Sequence, residues 1–475
     1  MEKYQLYELL GALTSGEIRK FRWFLSSGYA TKREELHRML SYLVERKAAK
    51  RPWPELKLLY KHAFPGQPYD NQQLRNAMSE LHALLEDFLL MEQARASGLP
   101  RTRQLAKLYR QRRLGRHFQR TMRRQKQQLE RQPLRNADYY QALLTYQVSE
   151  LEHQADNRRT EPLQLQEIAD TLDVDYLARK FRHACTQRSH EAVFKKSYDY
   201  GLLEPLISQI EAGGYLQYPA VALYYHCFRF LGSTEQEKHF LAFRELQQTC
   251  QGQFTAEEQK DLYMLALNFC IRQINTGNVF YAEESWRLYR DGLAQEVLFD
   301  GGMLSRFTFN NIVAVGIRLG YLDAVQAFIA DYSPRLPDAY RASASQFNQA
   351  RLHFAEQDYD RARQLLLTTE ITDLVNDLIA RTLLLKIYYE QGEYELLEAH
   401  LERLRSFVAR REFSQYHREN YGNIIRVVRQ LIALPPYDIP GRERIRKEVR
   451  NMQPLTERSW LLSKIPGGPD EANPG

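Results

Sequence analysis

Cysteine, glycine and proline are all scarce in this 475-residue chain, at 4, 23 and 18 residues. So few turn-formers disfavour an all-β fold, whose many tight turns draw on Gly and Pro. The four cysteines, Cys185, Cys227, Cys250 and Cys270, show no CxxC spacing. They fit small buried apolar residues better than a disulfide framework or a zinc site. No run approaches the ~20 apolar residues needed to span a bilayer. The opening MEKYQLYELLGAL has neither a basic start nor a continuous apolar stretch, so no secretory signal is expected. The expected setting is the cytoplasm, with no membrane partner.

Motifs of chemistry are also missing. GxxxxGK[ST], GxGxxG, HExxH and GxSxG do not occur. Asp173-Val174-Asp175 comes nearest to a paired-carboxylate motif, but it lacks the rest of a calcium loop and is expected at a helix boundary. His183 with Cys185, and His226 with Cys227, are too close in sequence to face one ion from a helix. The expectation is a protein that is not an enzyme and holds no cofactor or metal.

What is present is helical periodicity. Leu6, Leu9, Leu10 and Leu13 share one face. Thr14-Ser15-Gly16-Glu17 has the form of a capping box opening a second helix with Ile18, Phe21, Phe24 and Leu25 inward. Leu36, Met39, Leu40 and Leu43 mark a third helix, and Leu56, Leu58, Leu59 and Ala63 a short fourth. After the Phe64–Pro68 loop, Asp70 or Asn71 caps a long helix carrying Leu74, Met78, Leu81, Leu85, Phe88 and Leu89.

Beyond Arg101 the chain reads as helices of roughly 12–20 residues with short breaks, as in a solenoid. The stretch Ala350–Ala362 overlays Leu385–Leu397 at an offset of 35, with an earlier copy at Leu319–Ala324. Ala350 and Ala362 are small residues expected where helices cross.

Gln357-Asp358-Tyr359-Asp360-Arg361-Ala362 and Glu390-Gln391-Gly392-Glu393-Tyr394 resemble degenerate tetratricopeptide (TPR) repeats. More broadly the chain resembles uncharacterised bacterial all-helical proteins with a TPR-like C-terminal half. That likeness rests on Phe24–Tyr29, Phe64–Tyr69, Asn268–Asn275 and Glu457–Leu462. The resemblance implies an all-α fold, an N-terminal helical module followed by an α-solenoid of TPR-like hairpins. Its expected parts are a module over 1–98, basic hairpins over 99–200, the solenoid proper over 201–434, a capping helix over 435–464 and a disordered tail over 465–475.

Two surfaces stand out. In TPR arrays the first helix of each hairpin lines the groove. Here that implies Phe347, Arg351 and Phe354, then Thr382, Lys386 and Tyr389, a face suited to an acidic or C-terminal peptide. The other surface is basic. From Arg101 to Arg135 there are thirteen Lys or Arg against the single acid Glu130, so with +7 overall the rest of the chain is net −5. Leu105, Leu108 and Tyr109, then Phe118, Met122 and Leu129, are expected to face inward on two helices bent at Gly115. Arg112, Arg113, Arg116, Arg120, Arg123 and Arg124 would then face outward. Such a field suits phosphates, or is simply a solvated face or one paired with acids elsewhere in the chain. The expected function is a protein- or peptide-binding adaptor. The alternative is a nucleic-acid-associated regulator touching phosphates through the arginines.

Overall fold

A computed structural model describes residues 4–28, 30–96, 98–157, 162–232, 235–435 and 437–465. Tyr29, Pro436 and the expected tail from Pro466 onward lie outside the described residues. The described chain is all-α, with 23 α-helices and one two-stranded ribbon at Phe299–Asp300 and Met303–Leu304. It divides into two compact units, residues 1–255 and 256–475, so the division falls within the 201–434 stretch.

The first unit opens with α1 (Gln5–Ala12), α2 (Ser15–Ser26), α3 (Glu34–Ala48), α4 (Leu56–Ala63) and α5 (Asn71–Ala96). The capping box forms: Thr14 Oγ1 accepts from the Glu17 amide at 3.3 Å, and the Glu17 carboxylate accepts from the Thr14 amide at 2.7 Å. Asp70 caps α5 by accepting from the Gln72 and Gln73 amides. Inward-facing Phe21, Leu25, Leu36, Met39, Leu43, Leu74, Leu81 and Phe88 form one continuous apolar cluster.

Next come α6 (Gly98–Gln111) and α7 (Gly115–Arg131), packed on each other, then α8 (Ala137–Asn157) and α9 (Leu165–Phe194). The bend lies at Arg112–Leu114, with Arg113 in the left-handed region (φ 55°), and Gly115 already opens α7. Asp173 and Asp175 sit inside α9, not at its boundary. Asp175 accepts from Arg179 one turn on, and Asp173 accepts from the Tyr215 hydroxyl. The unit ends with α10 (Leu203–Ala212), α11 (Pro219–Gly232) and α12 (Gln236–Thr249), α11 packing on both α9 and α12.

The second unit is a run of helix pairs: α13 (Ala256–Asn275) with α14 (Phe280–Ala294), α15 (Arg306–Arg318) with α16 (Leu322–Tyr332), α17 (Asp338–Ala355) with α18 (Tyr359–Thr368), and α19 (Leu374–Glu390) with α20 (Tyr394–Arg410). Every pair turns in the same way. The second residue past the first helix is left-handed in each: Gly277, Gly320, Gln357 and Gly392, with φ of 97°, 75°, 63° and 70°. The next amide then reaches back five residues: Asn278 to the Gln273 carbonyl, Tyr321 to Gly316, Asp358 to His353 and Glu393 to Tyr388, at 2.9–3.2 Å. This Schellman geometry satisfies carbonyls that the helix end would leave bare.

Neighbouring pairs pack on one another, α14 on α15, α15 and α16 on α17, and α17 and α18 on α19. Ala350, Ala362, Leu385 and Leu397 are fully buried in one cluster, in keeping with the 35-residue offset. Close approach is most demanding at Gly316, where an added Cβ would lie 2.4 Å from Val325 and 2.9 Å from Trp286. After α20 come α21 (Gln415–Ala433), α22 (Ile439–Asn451) and a helix the periodicity did not suggest, α23 (Arg458–Ser463). Leu461 and Ile465 anchor this last segment in the unit's core.

Candidate binding faces

The six groove positions fall into two groups. Phe347 and Arg351 lie on α17. Phe347 is buried, and Arg351 Nη1 donates to the Asn310 carbonyl at 3.0 Å and to Asn348 Oδ1 at 3.1 Å. No carboxylate pairs with Arg351 among the described residues, and burial alone pulls its guanidinium down to about 10. Thr382 is buried and donates back to the Leu378 carbonyl, so it faces the helix rather than a groove.

Lys386, Tyr389 and Phe354 cluster at the other end of these helices, under the chain's own C-terminal segment. Lys386 pairs with Glu457 and lies 5.4 Å from the Trp460 ring and 5.8 Å from Phe354. Trp460 packs edge-on against Tyr389 and donates its indole N–H to Glu390 at 2.8 Å. Lys464 closes on the same Glu390 carboxylate at 2.6 Å. Upstream, Asn420 of α21 donates to Thr456 Oγ1 and accepts from the Thr456 amide. Residues 456–464 therefore lie across α19 and α21 with an acid on the cation, an aromatic on the aromatics and a cation on the acid. Arg351 and Lys386 are equivalent by offset, but one is satisfied by neutral oxygens and the other by this segment.

A polar niche lies between the N-terminal portions of α15, α17 and α19. It is lined by Arg306, Asn310, Tyr340, Ser343, Phe347, Asp373 and Asn376 among others. Arg306 stacks 4.5 Å over Tyr340 and forms an ion pair with Asp373 at 3.6 Å. Asp373 also caps α19 by accepting from the Asn376 amide at 3.0 Å. Of these residues only Phe347 was among the expected groove positions. The available signal was Asn310 and Asn348, each an amide buried among apolar neighbours.

On α7, Phe118, Met122 and Leu129 are buried as expected, joined by Thr121 and Gln125. At 3.6 residues per turn, Arg116, Arg120, Arg123 and Arg124 fall opposite that stripe. On α6 Leu108 is 42% exposed, and Ala106 supplies the buried contact instead. Leu108 lies two positions from Ala106, roughly 200° around the helix, so with Ala106 inward it falls on the open side. Arg112, Arg113, Arg116, Arg120, Arg123 and Arg124 are exposed, and none has an ion-pair partner among the described residues. Two other basic residues of the stretch are engaged: Arg110 pairs with Glu152 at 2.7 Å, and Arg135 bonds carbonyls and stacks on Tyr139.

The four thiols are buried and free. His226 faces His239 rather than Cys227, with Nδ1 to Nδ1 at 3.0 Å. Burial and the mutual presence of the two rings push His226 down to about 4, and burial lowers His239 as well. Among the described residues no group of three or more His, Cys, Asp or Glu is placed to hold a metal, and no helix is long and apolar enough to cross a membrane. No family model, curated protein or solved structure matches the chain.

Proposed function

We propose that this chain is a non-enzymatic scaffold, a TPR-like α-solenoid whose first-helix face binds a protein or peptide partner. The observation that carries this reading is the lie of residues 456–464 on α19 and α21, which makes the contacts a bound peptide would make. A face that accepts a short helix through charge and aromatic pairs, in a unit of neighbour-stacked hairpins, is what repeat proteins offer their ligands. The four free thiols support a reducing, cytoplasmic setting. The test uses the full chain carrying E457Q and W460A, which loosens the covering segment. A fluorescent peptide of residues 453–465 should bind this variant and not the wild type. If it binds neither, the face is a permanent internal seam and the scaffold reading fails there.

A second reading rests on a separate observation, the six exposed arginines of α7 and the turn before it, which have no ion-pair partner among the described residues. Exposed guanidinium groups, four of them sharing one face of α7, are free to displace counterions from a phosphate backbone. Replacing all six with Gln should leave helicity intact, since Gln is close to Arg in helix propensity. It should also abolish any salt-sensitive binding to mixed-sequence duplex DNA or RNA. Wild type that shows no such binding at low ionic strength would end this reading.

A further inference from the structure

We propose that a cavity between α18, α19 and α20 binds a small amphipathic acid, an oxyanion carried on a short apolar body. The inference goes beyond the scaffold reading and does not depend on it. On α19 the cavity takes the face of Asp377, Arg381, Leu384 and Tyr388, spaced four, three and four residues apart. Lys386, under the C-terminal segment, lies on the opposite side of that helix.

The space is about 330 Å³, within the range of small-ligand sites. Leu366, Leu367 and Ile371, from α18 and the turn after it, join Ala380 and Leu384 as apolar walls. No charged group reaches the lining from the α18 side.

Charge on the lining is unbalanced. Its one acid, Asp377, is taken by Arg381, which donates through Nε at 2.9 Å and Nη2 at 3.2 Å while stacking 4.1 Å over Phe407. Arg403 of α20 is the second cation, exposed and with neither a hydrogen bond nor an ion pair among the described residues. One positive charge is therefore in excess.

His400 adds a second, independent demand. It is only 4% exposed and lines the same cavity. Its Nε2 lies 2.8 Å from the Arg381 carbonyl, which can only accept, so Nε2 carries the hydrogen. In a neutral imidazole the other nitrogen is then an acceptor, and Nδ1 has no partner among the described residues. Burial first, then Arg403 and Arg381, hold the ring below the ordinary histidine range despite the carbonyl bond.

An oxyanion answers both demands. Beside Arg403 it balances the excess charge, and it offsets the repulsion that keeps His400 neutral. His400 then takes one proton from solvent on Nδ1 and donates it as a hydrogen bond to the anion. A cationic ligand would meet Arg403 unpaired, and a bare inorganic anion would leave the leucine walls wet.

Hexanoate, hexane-1-sulfonate and hexan-1-ol share one apolar body and differ in the head group. Both acids stay ionised between about pH 6 and 8, so neither supplies protons of its own. Calorimetric titration of the full-length chain should show one acid binding at least about tenfold tighter than the alcohol, as one charge-assisted contact gives. Preference for hexanoate assigns carboxylic acids, and preference for the sulfonate assigns tetrahedral oxyanions such as phosphate esters. R403Q should bring the acid to the level of the alcohol with helicity unchanged, since Arg403 is exposed and unpaired. Titration in two buffers of different ionisation enthalpy counts protons. Wild type should take up protons and bind tighter at the lower pH, whereas H400Q should do neither. If H400Q does not fold, the wild-type count still decides. Equal binding of acids and alcohol overturns the site, as does an acid preference that R403Q leaves unchanged. Binding of the acid without proton uptake overturns the part given to His400.

Discussion

Lys386 on α19 and Glu457 at the entry to α23 form an ion pair in which the lysine side chain is only 13% exposed. The pair ties the end of the chain to the middle of the second unit, and both groups give up much of their hydration to make it. Removing one charge strands the other. E457Q should cost on the order of 1–3 kcal/mol, the range for a buried hydrogen bond to a charged group. The double variant K386M/E457L should recover most of that loss, since apolar replacement of a buried pair is often neutral. Urea unfolding of the three proteins measures this. A double variant as unstable as the single would mean that shape, not charge, holds the segment.

Ala362 is fully buried in the cluster that also holds Ala350, Leu385 and Leu397. Ala362→Leu inserts a branched side chain where helices are already in contact and should cost about 1–3 kcal/mol. The readout is the unfolding midpoint. No change would mean that the crossing has room and that the 35-residue register is misplaced.

The capping box at Thr14 is exposed, so its contribution can be isolated from packing. Thr14→Ala should lower stability by about 1 kcal/mol, the usual value of a lost N-cap. Thr14→Ser should restore nearly all of it. Equal loss in both variants would point to the threonine methyl instead.

The His226–His239 pair sets a pH dependence whose sign is fixed. Both rings titrate lower in the folded chain than in the unfolded one, His226 at about 4, so the unfolded state takes up protons first. Their contribution is therefore complete above the ordinary histidine value of about 6.5 and is lost as pH falls through the folded values. Arg229 and Lys238 oppose protonation, while Glu211 and Glu235 favour it without reversing the direction. Thermal midpoints measured from pH 7 to 4 should fall, and less steeply in His226→Asn. An identical slope in that variant would assign the acid sensitivity to other groups.

Features set by near neighbours were legible in the sequence. The Thr14 box, the Asp70 cap and the turns at Gly320, Gln357 and Gly392 each rest on a few consecutive residues whose chemistry allows few alternatives. Leu108 was misjudged because an apolar residue announces a preference for burial, not a partner. The buried position on that helix is Ala106, two residues away and on the other side. The covering of Lys386 and the meeting of Asn348 with Asn310, which accepts from it at 2.6 Å, were illegible for a different reason. Each joins residues from separate helices, and an isolated Asn or Lys in a helical pattern does not say which distant group answers it.

The position of α23 also sets an order of events. Its links to Glu390 span 70 and 74 residues, whereas the hairpin turns close over five. Closing a long loop costs more entropy than closing a short one and rewards the chain only once both ends are shaped. The hairpins should therefore form first and α23 should dock last. On a chain emerging from the ribosome, the α19 face stands uncovered until Trp460 and Lys464 have been made. Under the proposed scaffold function, a partner would meet no competitor for that face during this interval.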